Sequence, residues 1–173
     1  QGDQAWLLRC ARELDDCLLH FRFNEPEIGV LVFRSTGQTE QVLSHDRFLR
    51  VHSDHWLTSE IRLYWKRVLK RLDLTGRSLV ALVSPGSCFV GLLAEIVLAC
   101  DRSYIMVDED GEYPLPAALC ITETNFQSLP TSNDLSRLQT RFLGNDDALQ
   151  RIQPYLDQLI SAKKCEELGL VTF

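Results

Sequence analysis

Ser78-Leu-Val-Ala-Leu-Val-Ser-Pro-Gly-Ser-Cys-Phe-Val-Gly-Leu-Leu-Ala-Glu-Ile-Val-Leu-Ala-Cys-Asp101 decides the fold. The apolar run Ser78–Val83 reads as a buried strand, broken at Pro85-Gly86. A second apolar run, of helical length, opens at Gly91 and closes at Asp101. A strand that turns into a helix start leaves backbone N–H groups without intrahelical partners. Those donors, with the positive end of the helix dipole, suit an anionic oxygen. Glu95 lies about one turn inside the helix on an apolar surface, where a carboxylate is costly unless paired or used. It is either an acid–base group beside an oxyanion-binding turn at Gly91 or one half of an internal ion pair.

Bulk properties narrow the classes. A chain of 173 residues, 45% of them hydrophobic, can bury one core and no second one. The net charge of −6 disfavours nucleic acid and anionic membrane surfaces as partners. No apolar run approaches the roughly 20 residues that cross a bilayer, and no signal-type start is visible. Cys10, Cys17, Cys88, Cys100, Cys120 and Cys165 are dispersed. That spacing reads as reduced thiols of a cytoplasmic protein, each by default buried and inert. The four histidines have no metal-ligand spacing, and no metal is expected. Cys88 with His45 or His55 as a nucleophile and base is a weak pattern beside a buried structural thiol.

Along the chain, Leu7, Cys10, Leu14, Cys17, Leu18 and Phe21 recur at helical spacing between Ala5 and Phe23, with Arg9, Arg12, Asp15 and Asp16 on the other side. Ile28–Phe33 reads as an interior strand. Residues 35–53 are polar without a clear period. Asp54 or Thr58 caps a helix whose inner face is Leu57, Ile61, Tyr64, Val68 and Leu72. Arg62, Lys66, Lys70 and Arg71 form its opposite, basic face, either solvated or a landing surface for phosphates or an acidic neighbour. Strands are expected over Ser103–Val107 and Leu115–Thr122. Asn133 or Asp134 caps a helix reaching Phe142, and Asn145 one over 146–159 interrupted at Pro154. Ser161 caps Ala162–Leu168, Gly169 ends that helix, and Leu170–Phe173 is a closing strand.

Glu95-Ile-Val-Leu-Ala-Cys-Asp-Arg102 resembles the Glu-Leu-Ala-Leu-Ala-Cys-Asp helix of the crotonase (enoyl-CoA hydratase/isomerase) superfamily. Ala11-Arg-Glu-Leu-Asp-Asp16, Asn24-Glu-Pro-Glu-Ile-Gly29, Asp54-His-Trp56, Pro85-Gly-Ser-Cys-Phe89 and Leu168-Gly-Leu-Val171 are more specific. They resemble the C-terminal crotonase-like half of those members that open the ring of an oxygenated benzoyl-CoA thioester and release formate. The resemblance implies an α/β, crotonase/ClpP-like fold of repeated strand-strand-helix turns, in a single domain over residues 1–173. It also implies that the fold is incomplete at both ends. The leading β-hairpin of family members and their C-terminal covering helices are expected outside this stretch.

The same resemblance assigns the candidate site. Glu95 and Glu123 are the carboxylate pair, and Glu123 keeps the family's spacing to Pro130. Gly91 and Leu92 supply one oxyanion N–H. The segment Gln41-Val-Leu-Ser-His-Asp46, through Leu43, supplies the other. Here the family's Gly-Gly-Gly run is Gly91-Leu92-Leu93, and its Ala-Gly-Ala-Asp turn has neither Ala nor Gly. The implied substrate is an acyl-CoA thioester, with coenzyme A part of the substrate and no separate cofactor. The implied partners are an N-terminal crotonase-like half of the same protein and further copies in a homo-oligomer. The alternatives are a degenerate, non-catalytic half that serves as scaffold or dimerisation domain, and a generic enoyl-CoA hydratase or isomerase.

Overall fold

Val30–Phe33 (β1), Ser78–Val83 (β2) and Arg102–Ile105 (β3) pair side by side as a parallel sheet in the order β1-β2-β3. In register, Val32 faces Val80 and Ala81 faces Ser103. The computed structural model describes residues 2–173, apart from the side chain of Asp3. Parallel strands need long crossovers, and helices supply both. Between β1 and β2 run α2 (Thr39–Val51) and α3 (Trp56–Asp73). Between β2 and β3 run a 3₁₀ turn (Gly91–Leu93) and α4 (Ala94–Ala99). Leu31, Leu79, Ala81, Val83 and Ile105 point to the buried side of the sheet. On the other side Val30, Val32, Tyr104 and Met106 are exposed, and Tyr104 stacks on Phe173. β1 is therefore a half-exposed edge among the described strands, where an interior strand was expected.

The first helix, α1 (Trp6–Asn24), packs along α3 through Leu7, Leu8, Ala11 and Leu18. The Trp65 indole N–H donates to the Leu7 carbonyl at 2.9 Å in the core. Two expectations for this pair of helices are corrected. Cys17 is exposed, whereas Asp15 is buried. Asp15 accepts from Arg71 Nε at 2.6 Å and from the Tyr64 hydroxyl at 3.3 Å. Residues assigned to two solvated faces thus meet between the helices, because a carboxylate with two donors can be buried where an isolated one cannot. The helix start is capped by His55, whose Nδ1 accepts the Leu57 N–H at 3.2 Å, and not by Asp54 or Thr58.

The polar segment 35–53 is largely helical, as α2, although its sequence shows no clear period. Its inward positions are Val42, Asp46 and Leu49. Asp46 stands where an apolar residue would have revealed the period. The expected strand over Leu115–Thr122 is only β4 (Ala118–Leu119), antiparallel to β5 (Ile160–Ser161). Cys120 then makes a single parallel bridge to Val90. A π-helical turn (Thr124–Ser128) follows.

The helix expected from Asn133 or Asp134 starts later, as α5 (Arg137–Arg141), and is capped by Ser136 in a reciprocal box with Gln139. Asp134 is instead a turn residue with φ of 61°. Asn145 caps α6 (Asp146–Ile152), which gives way to a 3₁₀ turn (Gln153–Tyr155) at Pro154. Ser161 occupies the N-cap position of α7 (Ala162–Glu167) without a side-chain bond. Gly169, with φ of 71°, closes that helix in the left-handed conformation. Leu170–Phe173 forms no regular strand, yet Ile105 N–H donates to the Phe173 carbonyl at 2.9 Å. Among the described residues no helix is long and apolar enough to cross a membrane.

Candidate active site

The turn after β2 is held from several sides. Ser84 N–H donates to Ser87 Oγ, and Cys88 N–H donates to Ser35 Oγ, both at 3.0 Å. Cys88 is buried and free, as a structural thiol would be. Gly91 takes φ of 51°, and its N–H donates to the Cys120 carbonyl at 2.9 Å. That N–H is committed to the backbone.

The next donor, the Leu92 N–H, is met by a carboxylate of the chain itself. It donates to Asp46 Oδ1 at 3.0 Å. Asp46 Oδ2 accepts from the Thr122 hydroxyl at 3.0 Å and lies 3.3 Å from Arg50 Nε. Asp46 is 1% exposed. Burial pushes its carboxyl above the ordinary carboxylate range; Thr124, Thr122, Arg50 and the Leu92 N–H pull the other way. A Cβ added at Gly91 would stand 2.8 Å from Asp46 Cγ. Glycine is thus required there twice, by its positive φ and by the approach of α2.

Leu43 lies one turn inside α2, where a backbone N–H is spent on the helix's own carbonyl four residues back. The second oxyanion donor expected from this residue is absent for that reason. What α2 brings to the turn is Asp46, an acceptor in place of a donor.

The two glutamates are separated by their partners. Glu95, on α4, is 1% exposed. It accepts from Arg137 Nη1 and from Asn125 Nδ2, each at 2.7 Å. Arg137 also grips Asp73 through Nη2 at 2.6 Å and Nε at 3.0 Å, and reaches the Leu129 carbonyl at 2.8 Å. Asn125 donates to the Gly91 carbonyl at 3.0 Å and accepts the Thr122 N–H at 2.9 Å. Burial raises the Glu95 carboxyl to about 7. The Arg137 charge, the Asn125 and Arg137 hydrogen bonds oppose that rise, and the Asp73 charge adds to it.

Glu123 follows β4 and keeps its side chain 75% exposed. It pairs with Arg50 Nη1 at 3.3 Å, and Arg50 Nη2 reaches Asp157 at 3.1 Å. A cavity of about 240 Å³ joins Glu123 to Leu92, Asp46, Arg50, Arg62 and Thr124. Leu92 and Glu123 therefore line one cavity. Glu95 does not line it.

Sequence reasoning missed Asp46, Arg50, Thr122, Asn125 and Arg137. A local signal existed for the first two, since Asp46 and Arg50 are spaced to pair on one helix face. None existed for Arg137, which lies 42 residues beyond Glu95.

Several solved structures share this arrangement of strands, turn and helix. Pseudomonas aeruginosa AtuE superposes with a TM-score of 0.61 at 16% identity, over 95% of this chain and 59% of that one. An enoyl-CoA hydratase from Bacillus anthracis gives 0.58 at 18%, over 96% and 59%. An enoyl-CoA hydratase from Shewanella pealeana gives 0.61 at 18%, over 93% and 56%. The chain has the fold of these crotonase-type structures, the enoyl-CoA hydratases among them. No protein-family model matches the sequence. A curated relative is more particular: the benzoyl-CoA-dihydrodiol lyase of Aromatoleum evansii is 37% identical over 172 residues, 99% of this chain. The chain spans 30% of the length of that lyase.

Proposed function

We propose that this chain is part of a lyase that opens the ring of an oxygenated benzoyl-CoA thioester with release of formate, and that it is the supporting crotonase-like half of that enzyme. Its partner would be the N-terminal crotonase-like half of the same protein, with oligomerisation of the whole. The relationship to a lyase supports the first statement. A single contact, Leu92 N–H to Asp46 Oδ1, supports the second. Oxyanion stabilisation needs a donor aimed at the position where negative charge develops, and removing one such donor costs about 3 kcal/mol of barrier. Here the donor already holds a negative oxygen. A thioester oxygen brought to the same place would meet that carboxylate. Displacing Asp46 would leave a buried charge without its donors.

A catalytic reading keeps one favourable observation. Glu123 opens into the same cavity as Leu92, within reach of solvent for proton transfer. Titration calorimetry of the chain with benzoyl-CoA, and turnover of the full-length protein carrying Glu123→Gln, decide between the two. Support by this half gives no saturable thioester binding and unchanged turnover. A fall in kcat of about 100-fold or more, the usual scale of a lost acid–base group, would establish Glu123 as catalytic and end the supporting role.

A further inference from the structure

On another side of α4, a cavity of about 280 Å³ is bounded by Asp73 and Leu98, by the segment Thr131–Asn133, and by Arg137, Thr140 and Arg141. We propose that it binds a small tetrahedral oxyanion of the phosphate class. Arg141 carries the proposal. Its Nε donates to the Gly169 carbonyl at 2.6 Å, which fixes the guanidinium in the cavity wall. Among the described residues no carboxylate pairs with it. A cation partly withdrawn from water without a counter-charge is costly, and here it borders an open space. Burial lowers the Arg141 pKa, the same cost in another form.

The two other charged side chains of the wall, Asp73 and Arg137, are paired with each other. Asp73 is gripped by two nitrogens of Arg137, and Arg137 also carries the Glu95 bond. The remaining positive charge is that of Arg141. The Ser132 hydroxyl and the Asn133 amide line the same cavity, whereas the Thr131 and Thr140 hydroxyls donate to the Leu135 and Ser136 carbonyls. Donors on a helix (Arg141) and on a loop (Ser132, Asn133) can reach different oxygens of a tetrahedral anion, and a guanidinium fork engages phosphate oxygens in pairs. The cavity has room well beyond one water, whose share of liquid volume is about 30 Å³. The Thr131–Asp134 loop is itself fixed, since Thr131 N–H and Oγ1 donate to the Leu135 carbonyl at 2.8 and 3.0 Å. The site shares no cavity with Leu92 or Glu123, and does not depend on the function proposed above.

Inorganic phosphate titrated into the chain, followed by calorimetry and ³¹P line broadening, tests the site. Saturable one-to-one binding is expected, weakened about tenfold or more by Arg141→Gln, the scale of one charge-assisted hydrogen bond. Ser132→Asp is the second variant. Ser132 is exposed, so the change leaves the core alone, and its negative charge should reduce binding similarly. Acetate at the same concentrations should bind at least tenfold more weakly. Absence of saturable binding, equal binding of acetate, or phosphate binding indifferent to both substitutions overturns the proposal.

Discussion

The Leu92 N–H and the Asp46 carboxylate lie 3.0 Å apart although 46 residues separate them, and the bond joins α2 to the turn that opens α4. The same carboxylate reaches the Thr122 hydroxyl, so one side chain ties three segments together. In place of an external anion the turn holds an internal one.

Asp46→Ala should destabilise the chain by about 1–3 kcal/mol, because it strands two buried donors. Urea denaturation measures it. Asp46→Asn, which keeps an acceptor oxygen, should recover part of the loss. Equal stability of all three proteins would remove Asp46 from its structural role.

Gly91→Ala forces a Cβ to 2.8 Å from Asp46 Cγ in a left-handed conformation. A loss of about 1–3 kcal/mol is expected. Part of it is steric and belongs to Asp46, so the double substitution Gly91→Ala with Asp46→Ala should be less destabilised than the sum of the singles. Strict additivity in this double-mutant cycle would place the whole cost in the backbone angle.

Glu95 links stability to pH. Its carboxyl lies at about 7 in the folded chain, against an ordinary value of 4.5. The folded state therefore holds a proton that the unfolded state has released between those values. The contribution is fully present below pH 4.5 and is lost as pH rises to about 7, by up to about 3 kcal/mol in all. Free energies of unfolding measured at intervals across pH 5–7 should decline with this slope in the native chain and flatten in Glu95→Gln. A slope surviving that substitution assigns it to another group.

Arg137→Met leaves both Glu95 and Asp73 without their cation. Breaking a buried pair in this way costs about 3–5 kcal/mol. Arg137→Lys should recover little, since an ammonium cannot reproduce the fork that engages Asp73 with two nitrogens and Glu95 with a third contact. Thermal unfolding of the two variants checks both statements; full recovery by lysine would show that charge alone matters.

The elements legible in the sequence are those whose buried residues form a nearly unbroken apolar run, with Glu95 the one charged exception in α4. The run Ser78–Val83 and the apolar stretch after Gly91 give β2 and α4, and the spacing of Ile61, Val68 and Leu72 gives α3. In α1 and α2, whose faces mix polar and apolar residues, an inward carboxylate misleads the pattern. Asp46 hid the period of α2, and Asp15 was assigned to the outer side of α1. Each is stabilised by donors dozens of residues away, Leu92 and Arg71, which no local window contains. The candidate site divided along the same line. The turn at Gly91 follows from short-range chemistry and the family resemblance. The separation of Glu95 from the cavity of Leu92 and Glu123 depends on Arg137 and Asn125, whose pairings appear only in three dimensions.

Arg137 joins the last third of the chain to Asp73 and Glu95, the latter 42 positions earlier. On the ribosome, which releases residues in order, the α4 carboxylate has no cation to meet until that arginine has left the exit tunnel. The central layers can gather beforehand, but final dehydration around α4 must wait. A nascent chain stalled short of Arg137 should thus remain open to proteases at its middle, whereas one extended past it should close.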